Sequence, residues 1–355
     1  MNKGLSEQLI SVRLGEDFNR ENLRQYLIKQ KLITDQPIEV MQFPSGSSNL
    51  TYLIRCGNWE AVMRRPPFGT LPPKAHDMKR ESILLKKIYG HFTRIPEPYV
   101  FCENLSVIGA PFYMMERKKG IVIDSSFPPE FEVTKEKCRE VSIKVIDTLI
   151  ELHDIDYRAA SLDSFGKPEG FVERQVVGLI KRFNEIKMEE IEKFESLSSW
   201  LINNIPKSYD STIIHNDYKL NNIILSEDLT EVVSVLDWEI ATIADPLFDL
   251  GITLGYWVQA DDPEYLKNVQ PAVTHLPGFL TRSEIIEYYA LKTGRDTTFI
   301  HFYLVLAYFR LAVMLQQMHY RWKMGDTKDE RFSNHHIHVQ NLIQHAYQIS
   351  NQTSL

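Results

Sequence analysis

Two neighbouring stretches constrain this chain more than any others: Ile213-Ile214-His215-Asn216-Asp217-Tyr218-Lys219-Leu220-Asn221-Asn222-Ile223-Ile224-Leu225, and Val232-Val233-Ser234-Val235-Leu236-Asp237 just after it. Ile223–Leu225 and Val232–Leu236 read as short apolar strands, and the polar segment Ser226–Glu231 between them has the composition of a hairpin loop. In an antiparallel hairpin the start of the first strand lies beside the end of the second. Asn222 is therefore expected next to Asp237, with strand neighbours about 5 Å apart. One amide oxygen and one carboxylate so placed can both reach a single Mg²⁺ at about 2.0–2.1 Å, leaving room for water and phosphate oxygens. Asp217, in the loop before the first strand, is a second carboxylate that is free to accept a proton. Any one of these residues alone would suit an ordinary polar hairpin. Four polar residues, His215, Asp217, Asn222 and Asp237, at the required offsets, each beside its apolar strand, speak for chemistry.

The spacing His-x-Asp-x-x-x-x-Asn, followed by a strand that ends in Asp, matches a kinase catalytic loop and metal site. With Val235-Leu236-Asp237-Trp238-Glu239-Ile240-Ala241-Thr242 and Ala244-Asp245-Pro246-Leu247-Phe248-Asp249-Leu250-Gly251, the chain resembles the aminoglycoside phosphotransferase family. It is most similar to the branch akin to the kinase-like domain attached to certain acyl-CoA dehydrogenases. Glu151-Leu152-His153-Asp154-Ile155-Asp156-Tyr157-Arg158, Phe165-Gly166-Lys167-Pro168 and Phe171-Val172-Glu173-Arg174-Gln175 strengthen that likeness. The resemblance implies an α+β, two-lobed protein-kinase-like fold. A small antiparallel β-sheet with one main helix would form residues 1–116, the nucleotide-binding lobe, with 1–35 as a helical extension. Residues 117–355 would form a larger, mostly helical lobe carrying the catalytic loop and the substrate site. The resemblance also implies that Asp249 holds the catalytic-loop backbone and that His215 orients the loop by hydrogen bonding. The family usually has glycine between His and Asp, and Asn216, which stands there, tolerates left-handed geometry.

In the first lobe, Ile38–Phe43, Leu50–Arg55 and Trp59–Arg65 read as successive strands. The turn between the first two contains Ser45, Gly46, Ser47, Ser48 and Asn49, an unencumbered backbone able to offer N–H donors to phosphates. The resembling family places its nucleotide-covering loop here. There is no Walker A sequence and no full G-x-G-x-x-G, which disfavours a P-loop or Rossmann site. Arg64 stands on the third strand where kinases carry a phosphate-pairing lysine, and arginine clamps phosphate bidentately. Glu81 falls within the apolar stripe Met78, Leu85, Ile88 of a helix at about residues 75–90. A carboxylate so placed needs a cation, and Arg64 is the candidate. Strands follow around Tyr99–Glu103 and Pro111–Glu116. The resemblance makes backbone groups near Met115, Glu116 and Arg117 the contact for an adenine edge.

Helices are expected at about 134–153, 171–188 and 192–204, then from Asp245 to about Val258, from the capping box Thr281-Arg282-Ser283-Glu284 to about Thr293, near 299–324 and near 335–350. His153 reads as a capping or packing residue. His335, His336 and His338 read as solvent-facing rather than as metal ligands. Asp261-Asp262-Pro263 through Gly278 reads as loop.

At 355 residues and 43% apolar content, the chain can bury the cores of two lobes. Its net charge, 40 − 47 = −7, argues against non-specific nucleic-acid binding. Cys56, Cys102 and Cys138 read as free thiols of a reducing compartment. The first residues lack the apolar core of a signal peptide, and the apolar run Phe302–Leu315 is too short to span a bilayer and contains Arg310. A cytoplasmic protein without membrane or nucleic-acid partners is expected. The expected activity is ATP-dependent phosphoryl transfer to a small-molecule hydroxyl. Asp217 would be the base, Asn222 and Asp237 the Mg²⁺ ligands, and Arg64, steadied by Glu81, the phosphate clamp. A catalytically silent nucleotide-binding scaffold is the alternative. A protein kinase is disfavoured because little chain after Asp237 is available for an activation segment. Asp261, Asp262 and Glu264 would suit a cationic acceptor, whereas Arg174, Arg310 or Arg321 would suit a CoA thioester.

Overall fold

The computed structural model describes residues 9–44, 49–68, 77–207, 210–270 and 272–352. Helix α1 (Arg20–Lys29) starts at Asn19, whose side chain accepts the Asn22 N–H. Strands β1 (Glu39–Gln42), β2 (Leu50–Cys56) and β3 (Trp59–Arg65) form an antiparallel meander. Helix α2 (Met78–Ile88), capped by Asp77, leads to β4 (Pro98–Cys102), the single turn α3 (Leu105–Ile108) and β5 (Phe112–Glu116). β5 inserts between β3 and β4, so the sheet order is β1-β2-β3-β5-β4. Alternation sends Tyr52, Ile54, Met63, Phe112 and Met114 into a core closed by Leu23 and Leu27 of α1. Helix α1 thus packs on the first sheet through Leu23 and Leu27.

Helices α4 (Lys135–His153), α5 (Phe171–Ile186) and α6 (Phe194–Asn203) come next. Four short strands follow: β6 (Thr212–Ile214), β7 (Ile223–Leu225), β8 (Val232–Val235) and β9 (Thr242–Ala244). β7 pairs with β8 as the expected hairpin, and β6 pairs with β9, a ribbon the sequence reading lacked. The chain ends in α7 (Pro246–Tyr256), α8 (Glu264–Val269), α9 (Arg282–Thr293), α10 (Ile300–Met324) and α11 (His335–Ser350). α8 lies inside the segment expected to be loop. The Thr281–Glu284 capping box is formed in both directions.

The chain divides into two compact units. The first holds the described residues up to Val122, with Arg158–Leu162 and Asn221–Ala241. The second holds Ile123–Tyr157, Asp163–Leu220 and the described residues from Thr242 onward. The expected boundary at 116/117 lies just short of Val122. The β7–β8 hairpin, expected in the second lobe, belongs by its contacts to the first unit. Ile121 and Leu225 exchange two backbone hydrogen bonds of 2.8 Å, and Val235 N–H donates to the Arg94 carbonyl at 2.8 Å. Gly120 makes the first of these possible, because at its φ of +149° an added Cβ would sit 2.1 Å from the Leu225 carbonyl oxygen.

In the second unit, α7 lies tightly against α10. A Cβ at Gly251 would meet the Tyr303 Cβ at 2.5 Å, and one at Gly255 the Ala307 Cβ at 2.8 Å. α10, at 25 residues, is long and apolar enough to cross a bilayer, unlike the shorter run Phe302–Leu315. However, 72% of its most apolar window is buried inside the protein, as in a core helix.

Candidate active site

In the first unit the site grows from the hairpin. Ile223 pairs with Val235, and one step further Leu236 N–H donates to the Asn222 carbonyl at 2.8 Å. Asn222 therefore opens one strand as Asp237 follows the other. Asp237 has a φ of +67°, and this left-handed residue turns the chain away from the ladder. Arg64 connects this turn to α2. One terminal nitrogen donates to Glu81 Oε1 at 2.5 Å and the other to Asp237 Oδ1 at 3.0 Å, with Glu239 Oε2 at 3.8 Å. Arg65, on the opposite sheet face, bonds instead to the Pro66 and Ile108 carbonyls and lies 3.9 Å over the Phe68 ring. Burial works against the Arg64 charge, yet Glu81, Tyr113, Asp237 and Glu239 lift its pKa well above the ordinary value. Burial pushes the Glu81 carboxyl up against the opposing pull of Arg64. Glu239 also accepts the Asn49 amide at 2.7 Å, which ties the start of β2 to the residues after Asp237. Ser45, Gly46, Ser47 and Ser48 lie outside the described residues. Met115 sits in the sheet opposite Val62, and the Glu116 N–H donates to the Glu97 carbonyl at 2.8 Å. The Arg117 guanidinium is paired with Glu60 at 2.9 Å.

In the second unit, Asp249 on the first turn of α7 is fully buried and faces the loop after β6. Its two oxygens accept the His215 N–H at 2.6 Å and the Asn216 N–H at 2.7 Å. His153 Nε2 lies 3.2 Å from the same carboxylate, and His153 Nδ1 lies 2.8 Å from the Tyr289 hydroxyl. Burial alone would raise the Asp249 pKa. The hydrogen bond and charge of His153, with His215, hold it below the usual carboxylate value. The Asp217 N–H donates to His215 Nδ1 at 3.2 Å. The Asp217 carboxylate meets Lys219 Nζ at 3.0 Å and the hydroxyl of Tyr256, whose ring lies 4.8 Å from that same ammonium. Burial and the Asp217 charge push the Tyr256 hydroxyl up, so it remains a donor.

Sequence reasoning missed several of these residues. His153 is neither a helix cap nor mere packing, because it carries the Asp249 carboxylate. Glu239, Lys219, Tyr256 and Tyr289 went unassigned. Arg310, weighed for an acceptor, instead donates from Nη1 to Asn216 Oδ1 at 2.6 Å and from Nη2 to the Asn216 carbonyl at 2.9 Å. Asp262 is engaged by both terminal nitrogens of Arg282, at 2.8 and 2.6 Å. The signal available for Arg310 was its place in the most apolar run of the chain, where a cation needs a partner.

The profile of the phosphotransferase enzyme family matches residues 39–278. Mouse (Mus musculus) acyl-CoA dehydrogenase family member 10 is 33% identical over 81% of this chain and 27% of its own length. Chicken (Gallus gallus) acyl-CoA dehydrogenase family member 11 is 30% identical over 97% of this chain and 45% of its own. The chain thus spans less than half the length of these relatives. A crystal structure described as an aminoglycoside phosphotransferase from Ralstonia eutropha JMP134 superposes with a TM-score of 0.82 at 25% identity, covering 96% of this chain and 100% of that one. Choline kinase from Cryptosporidium parvum Iowa II shares the fold, with a TM-score of 0.60 at 12% identity over 93% and 94% of the two chains. With a five-stranded antiparallel sheet, a larger helical portion and a profile match across most of its length, this chain belongs to the phosphotransferase enzyme family.

Proposed function

We propose that the chain transfers the γ-phosphoryl group of Mg·ATP to a hydroxyl of a small molecule. The observation that carries this reading is the Arg64 guanidinium shared between buried Glu81 and Asp237. A cation fixed in this way beside a partly exposed carboxylate suits phosphate binding better than structural support alone. The donors at the hairpin end, an Asn amide oxygen and an Asp carboxylate, are hard oxygen ligands that fit Mg²⁺. Asn222 and Asp237 would hold the ion, which, when bound, supplies charge neutralisation on the nucleotide phosphates. Arg64 binds phosphate oxygens, and Glu81 keeps its fork in place. Asp217, its carboxylate held by Lys219 and Tyr256, orients the acceptor hydroxyl. It takes the hydroxyl proton as the new O–P bond forms and the bond to the departing ADP breaks.

Structures sharing the fold include an aminoglycoside phosphotransferase with ADP and hygromycin B, and another with GDP. Both nucleotides belong in the assay. Only Trp238–Asp245 separate Asp237 from α7, which favours a small acceptor over a docked polypeptide. The longer relatives are named for acyl-CoA, so we add acyl compounds that carry a hydroxyl to the aminoglycosides and amino alcohols worth testing. The setting we infer is cytoplasmic, in keeping with three buried free thiols. The test is phosphoryl transfer from ATP or GTP across such a panel, repeated with Asp217→Asn. Transfer should vanish in that variant while nucleotide affinity stays within about threefold, since the change removes a proton acceptor and no phosphate contact. Wild-type turnover by Asp217→Asn would refute the assignment.

A further inference from the structure

The residue before the proposed base has a conformation that its own side chain disfavours. Asn216 has a φ of +69°, in the left-handed region that glycine enters freely and other residues enter at a cost. It is 9% exposed, and polar groups close around it on both sides. The Asn216 N–H goes to Asp249, while the carbonyl and the side-chain oxygen both go to Arg310. Backbone and side chain of one residue are thus gripped by one guanidinium, an arrangement that reads conformation as well as charge.

The fold brings Arg310 to this place deliberately close. Tyr303, Ala307 and Arg310 are spaced i, i+4, i+7 and share one face of α10. The first two rest on Gly251 and Gly255 of α7, where no side chain holds the helices apart. The third reaches past α7, its guanidinium carbon 6.0 Å from the Phe248 ring, to the loop that Asp249 of α7 also holds. The loop is therefore gripped by α7 through its amides and by α10 through its carbonyl.

We propose that Arg310 is a positioning residue that locks Asn216 in its left-handed conformation and thereby sets the direction of the Asp217 carboxylate. This rests on the reading of Asp217 as proton acceptor. Without the guanidinium, Asn216 relaxes toward negative φ and Asp217 turns with it. With glycine at 216, the same backbone geometry needs no clamp.

The experiment compares wild type, Arg310→Met, Asn216→Gly and the double variant in the whole 355-residue chain, with Arg310→Lys as a conservative control. Arg310→Met is expected to lower kcat by up to about 100-fold, the scale of a misplaced catalytic group, with the KM for nucleotide unchanged. Asn216→Gly added to Arg310→Met should restore a large part of that kcat, and Arg310→Lys should lose less than Arg310→Met. A rise in the acceptor KM with no rescue by glycine would overturn the proposal, because Arg310 would then be an acceptor ligand. The same four proteins are unfolded thermally. A Tm loss in the double variant smaller than the sum of the single losses supports the clamp, and additive losses overturn it. If wild type transfers phosphate to no acceptor, the reading of Asp217 fails, and the unfolding cycle still decides the clamp.

Discussion

Arg64 divides its two terminal nitrogens between carboxylates of different strength of burial, Glu81 being 2% exposed and Asp237 considerably more open. Replacing Arg64 by Met leaves the Glu81 carboxylate buried without its cation, a change expected to cost about 3–5 kcal/mol of stability. Arg64→Met combined with Glu81→Leu should cost less, since no charge is then left unpaired. Urea denaturation of the two variants checks this; a double variant as unstable as the single one would show that the pair does not carry the effect. This pair was legible in the sequence because a carboxylate inside an apolar helical stripe demands a partner, and strand alternation left Arg64 to supply it. Asp249 and His215 were legible only through resemblance, and the structure gives their physical roles as acceptor of two loop amides and as acceptor of the Asp217 N–H. His153 and Arg310 were not legible. Their partners lie 96 and 94 residues away along the chain, and no local pattern announces a hydrogen bond at that range.

Among the elements, strands β1 to β5, the β7–β8 hairpin and the long helices follow from local periodicity, with ends shifted by a residue or a few. The β6–β9 ribbon does not, because each strand has three residues and the pairing is made across the whole hairpin. The histidines of α11 show the same limit. His336 packs on His319 with ring centroids 5.0 Å apart, and His335 lies 5.3 Å from Phe332, so these rings are half-buried rather than turned to solvent. Further along α11, His345 accepts or donates at Nδ1 to the Tyr265 hydroxyl at 2.9 Å, with the Tyr308 ring 4.8 Å away. Burial pulls its pKa down to about 4, with Asp262 raising it and Arg282 lowering it. Between pH 6.5 and about 4 the unfolded chain binds a proton that folded His345 refuses. Its contribution is thus complete above pH 6.5 and is lost as the pH falls through that window, on the order of 2 kcal/mol for a partly exposed ring. His345→Gln should flatten the stability profile between those limits. An unchanged slope would assign the acid sensitivity to His301, His335 and His338, whose pKa values burial also lowers.

For the whole molecule, nucleotide binding to the folded state should appear as stability. Mg·ATP at about 100 times its Kd adds roughly 2.7 kcal/mol, which calorimetry would record as an upward shift of the transition in which the first unit melts. Two compact units of different composition give no reason to expect one transition, so the shift is to be read transition by transition. ATP with a chelator is the control, and an equal shift in its presence would argue against a metal held by Asn222 and Asp237. The surroundings of Arg64 say why that control should differ. Glu81, Asp237 and Glu239 all lie within 4 Å of this one guanidinium. Three carboxylates around one guanidinium favour a divalent ion over a bare polyanion. On the proposed function, the metal is expected to enter first or with the nucleotide, and ATP without metal is expected to bind weakly.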